Sequence, residues 1–177
     1  MKSSLVLTVI GDDKPGIVEQ LSDHVLAAGA NWEESRMARL AGKFAGLLRI
    51  SVDAANADAL AARLTSEVGG LKIVVQRSAD TLAGAFRTIH LDLLGHDRPG
   101  IVRTISGALA QHNINIEELE TETTNAPMSG DVLFRARATL RIPPTITLER
   151  LREVLEALTG ELMVDLSLEE DGQIATQ

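Results

Sequence analysis

The chain has 177 residues, 45% of them hydrophobic and 24% charged, with a formal net charge of −8. That composition supports a packed core, offers no run approaching the roughly 20 apolar residues of a membrane span, and opposes a phosphate backbone because no lysine or arginine cluster segregates on one stretch. Cysteine is absent, which removes disulfides, thiolate metal sites and a cysteine nucleophile, and four scattered aromatic residues, Trp32, Phe44, Phe86 and Phe134, make no base-stacking platform.

In chain order, the N-terminus runs from Met1-Lys2-Ser3-Ser4 directly into an apolar stretch without a small-residue cleavage site, so the expected compartment is the cytoplasm. Leu5–Ile10 reads as a buried strand. Pro15 suits the first position of a helix, and Ile17, Val18, Leu21, Val25 and Ala28 then recur at helical spacing until Gly29, a left-handed terminator. Residues 31 to 53 carry Phe44, Leu48, Ile50 and Val52, with Gly42 placed to turn a hairpin between two antiparallel strands. Leu60, Leu64 and Val68 mark a second helix over 57–68, and Leu71–Gln76 a closing strand. Residues 78 to 85 are small and aperiodic, and are read as the linker.

The second half repeats the first. Residues 95–119 lie over residues 11–35 without a gap at an offset of 84, with ten identities, among them Asp13/Asp97, Pro15/Pro99, Gly16/Gly100, Ile17/Ile101, Asn31/Asn115, Glu33/Glu117 and Glu34/Glu118. Ile89–Leu94 repeats the strand, and Pro99 again opens the helix. Ile101, Val102, Ile105, Leu109 and His112 repeat the stripe, and Asn113 takes the place of Gly29. Strands follow over 114–124 and from Val132 to Leu140, separated by a longer loop around Pro127. A helix over 147–158 and a strand over 162–168 complete the copy. The order is βαββαβ twice, which predicts an α+β fold of two ferredoxin-like domains, each an antiparallel sheet with both helices on one face. The predicted bounds are 1–78 for the first domain, 79–85 for the linker, 86–170 for the second domain and 171–177 for a polar tail.

A strand, then Gly-Asp-Asp-Lys-Pro-Gly-Ile-Val, then a helix and Gly-Ala-Asn sixteen residues after the proline, resembles the ACT domain, a small-molecule-binding module of metabolic regulators. Two copies filling residues 3 to 169, with Trp32-Glu33-Glu34-Ser35-Arg36-Met37 after the first helix, resemble the glycine cleavage system transcriptional repressor family. The resemblance implies two ACT units paired side by side in one eight-stranded sheet, ligands at the interface between them, and repression through contact with a DNA-binding activator protein instead of DNA itself. It implies no cofactor.

The residues themselves support a ligand cradle. The first N–H groups of a helix lack intrahelical partners and sit at the positive end of its dipole, which suits an α-carboxylate. Gly16 and Gly100 let a ligand approach the backbone, Ile17 and Ile101 carry the next N–H groups, and Asp13 and Asp97 offer a carboxylate to an ammonium. Asn31 and Asn115 bring a donor and an acceptor on one amide. The same residues admit a plain reading, in which Asp before Pro-Gly shapes a turn and the asparagine satisfies a strand entry. His24, His90, His96 and His112 show no ligand spacing, and His96 replaces Asp12 of the first copy. Glu33-Glu34 and Glu117-Glu118 are expected on opposite strand faces, unable to act as pairs. No nucleophile, metal cluster or phosphate loop stands out, so the expected role is a small-amino-acid sensor acting on a protein partner, with glycine as one effector; the alternative is a ligand-free interaction or oligomerisation module that regulates a metabolic enzyme.

Overall fold

A computed structural model describes residues 2–68, 70–78, 85–125 and 131–170. The chain divides into two units, Met1–Leu82 and Ala83–Gln177. In the first, β1 (Lys2–Asp12), α1 (Ile17–Ala27), β2 (Asn31–Leu40), β3 (Lys43–Asp53), α2 (Ala57–Glu67) and β4 (Leu71–Ser78) follow one another, with a 3-10 turn at Ala54–Asn56. In the second, β5 (Arg87–His96), α3 (Ile101–Gln111), β6 (Asn115–Asn125), β7 (Val132–Ile142), α4 (Leu148–Leu162) and β8 (Val164–Glu170) repeat the order. The sheets are antiparallel, ordered β2-β3-β1-β4 and β6-β7-β5-β8. Both units therefore have the ferredoxin-like βαββαβ architecture expected from the repeat.

Alternation builds each core. Leu5, Leu7 and Val9 of β1 point to the same face as Leu48, Ile50 and Val52 of β3, and meet Leu21 and Val25 of α1 and Leu60 and Leu64 of α2. Ile89, Leu91 and Leu93, with Leu140 and Ile142, meet Ile105, Leu109, Leu151 and Leu155 in the second core. Each unit closes its apolar cluster among its own residues.

Both first helices end as the glycine and asparagine foretell. Gly29 (φ 65°) and Asn113 (φ 56°) take the left-handed conformation. Gly29 N–H donates to the Leu26 carbonyl at 2.9 Å and Ala30 N–H to that of Val25 at 3.1 Å; Asn113 and Ile114 repeat the pair on Ala110 and Leu109, both at 3.0 Å. This double closure satisfies carbonyls that a helix end otherwise leaves unpaired. Ala41 (φ 49°) and Gly42 (φ 78°) turn the first hairpin with two positive φ angles, the geometry that matches strand twist.

Several expectations need correction. Pro15 and Pro99 do not open the helices: each precedes a glycine at φ 88° or 96°, which is the N-cap, so the first helical residues are Ile17 and Ile101. Val18 and Val102 leave the buried stripe and are 48% and 44% exposed, because one residue at 100° per step rotates them off the face that Ile17 and Ile101 occupy. Helix α4 runs on to Leu162, which displaces the closing strand to Val164 after Met163 at φ 53°. Five of the expected loop residues around Pro127, 126–130, the linker residues 79–84 and the tail 171–177 lie outside the described residues.

Candidate functional site

The strand-to-helix loop begins where β1 ends. Asp13 N–H donates to the Gly42 carbonyl at 3.0 Å, tying the loop to the hairpin, and Asp97 N–H does the same to Val132 at 2.9 Å. The Asp13 carboxylate is already matched by Arg39 Nε at 2.6 Å, and Asp12 by Lys43, whose hydrogen bond and charge hold the Asp12 carboxyl below the ordinary aspartate value. Arg39 went unnoticed in the sequence; its signal is its position three residues before Gly42, which the hairpin register folds back beside the loop. Among the described residues no such partner engages Asp97. In the second loop Arg98 Nη2 rests on Met163 Sδ at 3.1 Å instead.

Neither helix start carries a side-chain cap. The Gly16 carbonyl accepts from Gln20 N–H and the Gly100 carbonyl from Thr104 N–H, both at 2.9 Å, while in the second unit Ile101 N–H donates to the Arg98 carbonyl at a long 3.5 Å. Ile17 and Ile101 are 3% and 2% exposed, so their side chains belong to the cores and only their backbone could meet a ligand, the Ile101 N–H being already directed at the Arg98 carbonyl. The copies differ in charge here. Glu19 occupies the first turn of α1, whereas α3 has no acidic residue in its first turn and carries Arg103 at the matching place.

Asn31 and Asn115 open β2 and β6 at the other end of their sheets. Asn31 lies in a row across the outer face with Ser51 and Ser4. Ser4 is eight residues before Asp12 along β1, which at ~3.3 Å per residue separates asparagine and loop by about 26 Å within one unit. A single unit therefore does not bring its own loop and asparagine together. Beside Asn31 the hydroxyls of Ser4 and Ser51 are buried without hydrogen-bond partners among the described residues. Asn115 faces Arg141 across the strands, whose guanidinium sits 4.0 Å over the Phe86 ring and 3.4 Å from Glu117.

The glutamate pairs also depart from expectation. The β2–β3 register shifts between Trp32 and Glu34, and the β6–β7 register between Ile116 and Glu118. A bulge places one extra residue on the strand and breaks the alternation. Glu33 and Glu34 consequently both reach Arg49, at 3.4 and 3.6 Å. They form one ion-pair cluster around a cation, with no bare carboxylate pair for acid–base work.

On the outer face of the second sheet lies an open concavity of ≈ 450 Å³, lined by His90, Asp92, Glu118, Glu120, Arg137 and Glu169 among others. Arg135 binds Asp92 at 2.6 and 3.2 Å, and Arg137 adds a contact at 3.5 Å, so the Asp92 carboxyl lies below its usual value, chiefly through the Arg135 hydrogen bond. The surface is a polar lattice, and among the described residues no group of three His, Cys, Asp or Glu gathers around a metal-sized centre.

Comparison with known proteins places this geometry. Residues 3–76 and 89–158 each match the ACT domain. A glycine cleavage system transcriptional repressor of Escherichia coli (strain K12) is 24% identical over 163 residues, covering 89% of this chain and 85% of that protein. The UPF0237 protein MK1213 of Methanopyrus kandleri is 33% identical over 79 residues, 45% of this chain. Among solved structures, a protein of unknown function from Galdieria sulphuraria superposes with a TM-score of 0.86 at 34% identity, covering 97% of this chain and 99% of its own. A candidate glycine cleavage system transcriptional repressor shares the fold with a TM-score of 0.75 at 24% identity and 98% coverage of this chain. Two ACT matches over two repeats of one fold establish that the chain belongs to the ACT-domain family, as a tandem member homologous over most of its length to a glycine cleavage system transcriptional repressor.

Proposed function

We propose that the chain is a non-catalytic regulator that senses a small amino acid and passes the signal to a protein partner, a DNA-binding activator, without touching DNA itself. The observation that carries this reading is the duplicated loop, with its uncapped helix start, in a fold whose relative is named as a repressor. The ligand set is Asp13, Gly16, Ile17 and Asn31 with Asp97, Gly100, Ile101 and Asn115. Because loop and asparagine stand about 26 Å apart within a unit, a ligand that uses both takes them from different units. A ligand favouring one state of the pair then shifts partner affinity by its differential binding.

Thermal unfolding with millimolar glycine, alanine and serine tests the sensing: a ligand at 100 times its Kd stabilises by about 2.7 kcal/mol. Asn31→Ala and Asn115→Ala should each weaken that shift, and absence of any shift for every amino acid refutes the sensor. A second reading, a ligand-free docking or oligomerisation module, draws on the outer face of the first sheet, where Ile10, Leu47 and Val74 are 44%, 52% and 47% exposed, and on Asp13 being already paired with Arg39. A solution mass that rises with concentration, unchanged by amino acids, favours it.

A further inference from the structure

The repeat supplies its own control, since the sheet registers give positions of one unit counterparts in the other, 84 residues on as far as β2 and 90 residues on in the third strand. In the first unit Trp32 packs against the core and its indole N–H donates to Ser35 Oγ at 3.3 Å, while fully buried Leu48 stands across the strands from Ser35. In the second unit these places hold Ile116, Leu119 and Ala138. Indole has become sec-butyl and leucine has become alanine on the floor between helix and sheet, while serine has become leucine. An apolar cleft opens there, bounded by Val102, Ile105, Ser106 and Leu109 of α3 and by Ile116 and Leu119 of β6. Its rim is exposed at Val102 (44%) and Leu119 (46%). The Ser106 hydroxyl donates to the Arg103 carbonyl at 3.3 Å, so it makes no demand on an occupant.

The rim lies at the first turn of α3. Val102 is the second helical residue, the helix start has no side-chain cap, and Arg98 and Arg103 flank it without an acidic neighbour in the turn. The matching turn of α1 has Glu19, preceded by Asp12 and Asp13. An apolar cleft beside an uncapped, arginine-flanked helix start suits a molecule that carries a carboxylate next to an aliphatic group. The Asp97 carboxylate, two residues before Pro99 and without a partner among the described residues, adds a place for an ammonium. The cleft volume of ≈ 20 Å³ leaves room for one or two methyl-sized groups, since a cavity needs roughly 10–15 Å³ to hold one water. That admits the end of a branched aliphatic side chain and refuses an aromatic ring.

We infer that the second unit binds a branched aliphatic amino acid, with its side chain in the α3–β6 cleft and its carboxylate on the first turn of α3. This rests on the amino-acid-sensing reading above and narrows its ligand for one of the two units. Isothermal titration of the full chain with valine, glycine, phenylalanine and N-acetylvaline tests it. Valine should bind and phenylalanine should not; N-acetylvaline, which lacks the ammonium, should bind at least about tenfold more weakly. Ile116→Trp and Ala138→Leu restore the residues of the first unit and should each raise the valine Kd by about tenfold, the discrimination of roughly one methylene, with any glycine binding unchanged. Circular dichroism confirms folding, and either variant suffices if the other does not fold. Valine affinity unchanged in a folded variant overturns the cleft, and equal binding of N-acetylvaline overturns the free amino acid in favour of a peptide C-terminus. Binding of glycine without valine overturns this inference alone, whereas silence from every amino acid overturns the sensor as well.

Discussion

The glycines of the two Gly-x-Asp-x-Pro-Gly loops are there for different reasons. An added Cβ at Gly95 would meet the Met163 carbonyl oxygen at 2.8 Å and Val164 Cα at 2.9 Å, because the start of β8 pairs with Gly95 at close range across the sheet. At Gly100 the same Cβ meets no atom within 4 Å, and only the φ of 96° penalises it. Gly95→Ala should therefore cost more, about 1–3 kcal/mol from overpacking against backbone, than Gly100→Ala, about 1–2 kcal/mol from the left-handed conformation. Urea denaturation of the two variants checks the order. Asp92 carries a pH prediction. Its folded-state pKa is lowered from 3.8 by the Arg135 hydrogen bond, so its stabilising contribution is present above about pH 4 and fades as pH falls through the lowered value. Asp92→Asn should lower the Tm at pH 7 by a small amount, since the pair is partly exposed, and this difference should shrink toward pH 2.

Among elements, the local rules of chain termination were the most legible. Gly29 and Asn113 sit where a helical stripe stops, and both are left-handed with the paired closing bonds. Asn113→Ala should destabilise α3 by about 1 kcal/mol, because alanine lacks the tolerance of asparagine for positive φ. Thr147 was legible only as the edge of a helical pattern. It caps α4 by accepting from Arg150 N–H at 3.1 Å, and Thr147→Ala should cost about 1 kcal/mol in thermal unfolding. Helix starts were misread because proline at a first helical position and proline before a left-handed glycine cap look alike in sequence; only the glycine φ separates them. The bulges at Glu33 and Glu117 were hidden for a related reason. A bulge is a register relation between two strands, and the pattern of one strand contains no trace of it. Candidate site residues were legible as a repeated motif, but the separation of loop and asparagine to opposite sheet ends emerges only once β1 is seen to run straight from Ser4 to Asp12.

At the scale of the whole molecule, one fold carries two dissimilar outer faces. Val6, Thr8, Ala45, Leu47 and Val74 of the first sheet correspond to His90, Asp92, Arg135, Arg137 and Ser167 of the second. The second set is charged and internally paired, so the fold itself does not require apolar residues there, while the inner faces keep their aliphatic alternation in both units. Selection on the inner faces is thus for packing, and the outer faces have been free to diverge. Since each core is closed among its own residues, damage to one should stay local. Leu7 is fully buried in the first core, and Leu7→Ala should remove about 2–5 kcal/mol there through lost transfer energy and the cavity left behind. Hydrogen exchange read by mass spectrometry should show faster exchange across β1, β3 and β4, with protection in β5, β7 and β8 retained. Equal loss of protection in both sets would mean that the units unfold as one cooperative body, and the duplication would then have been merged energetically as well as genetically.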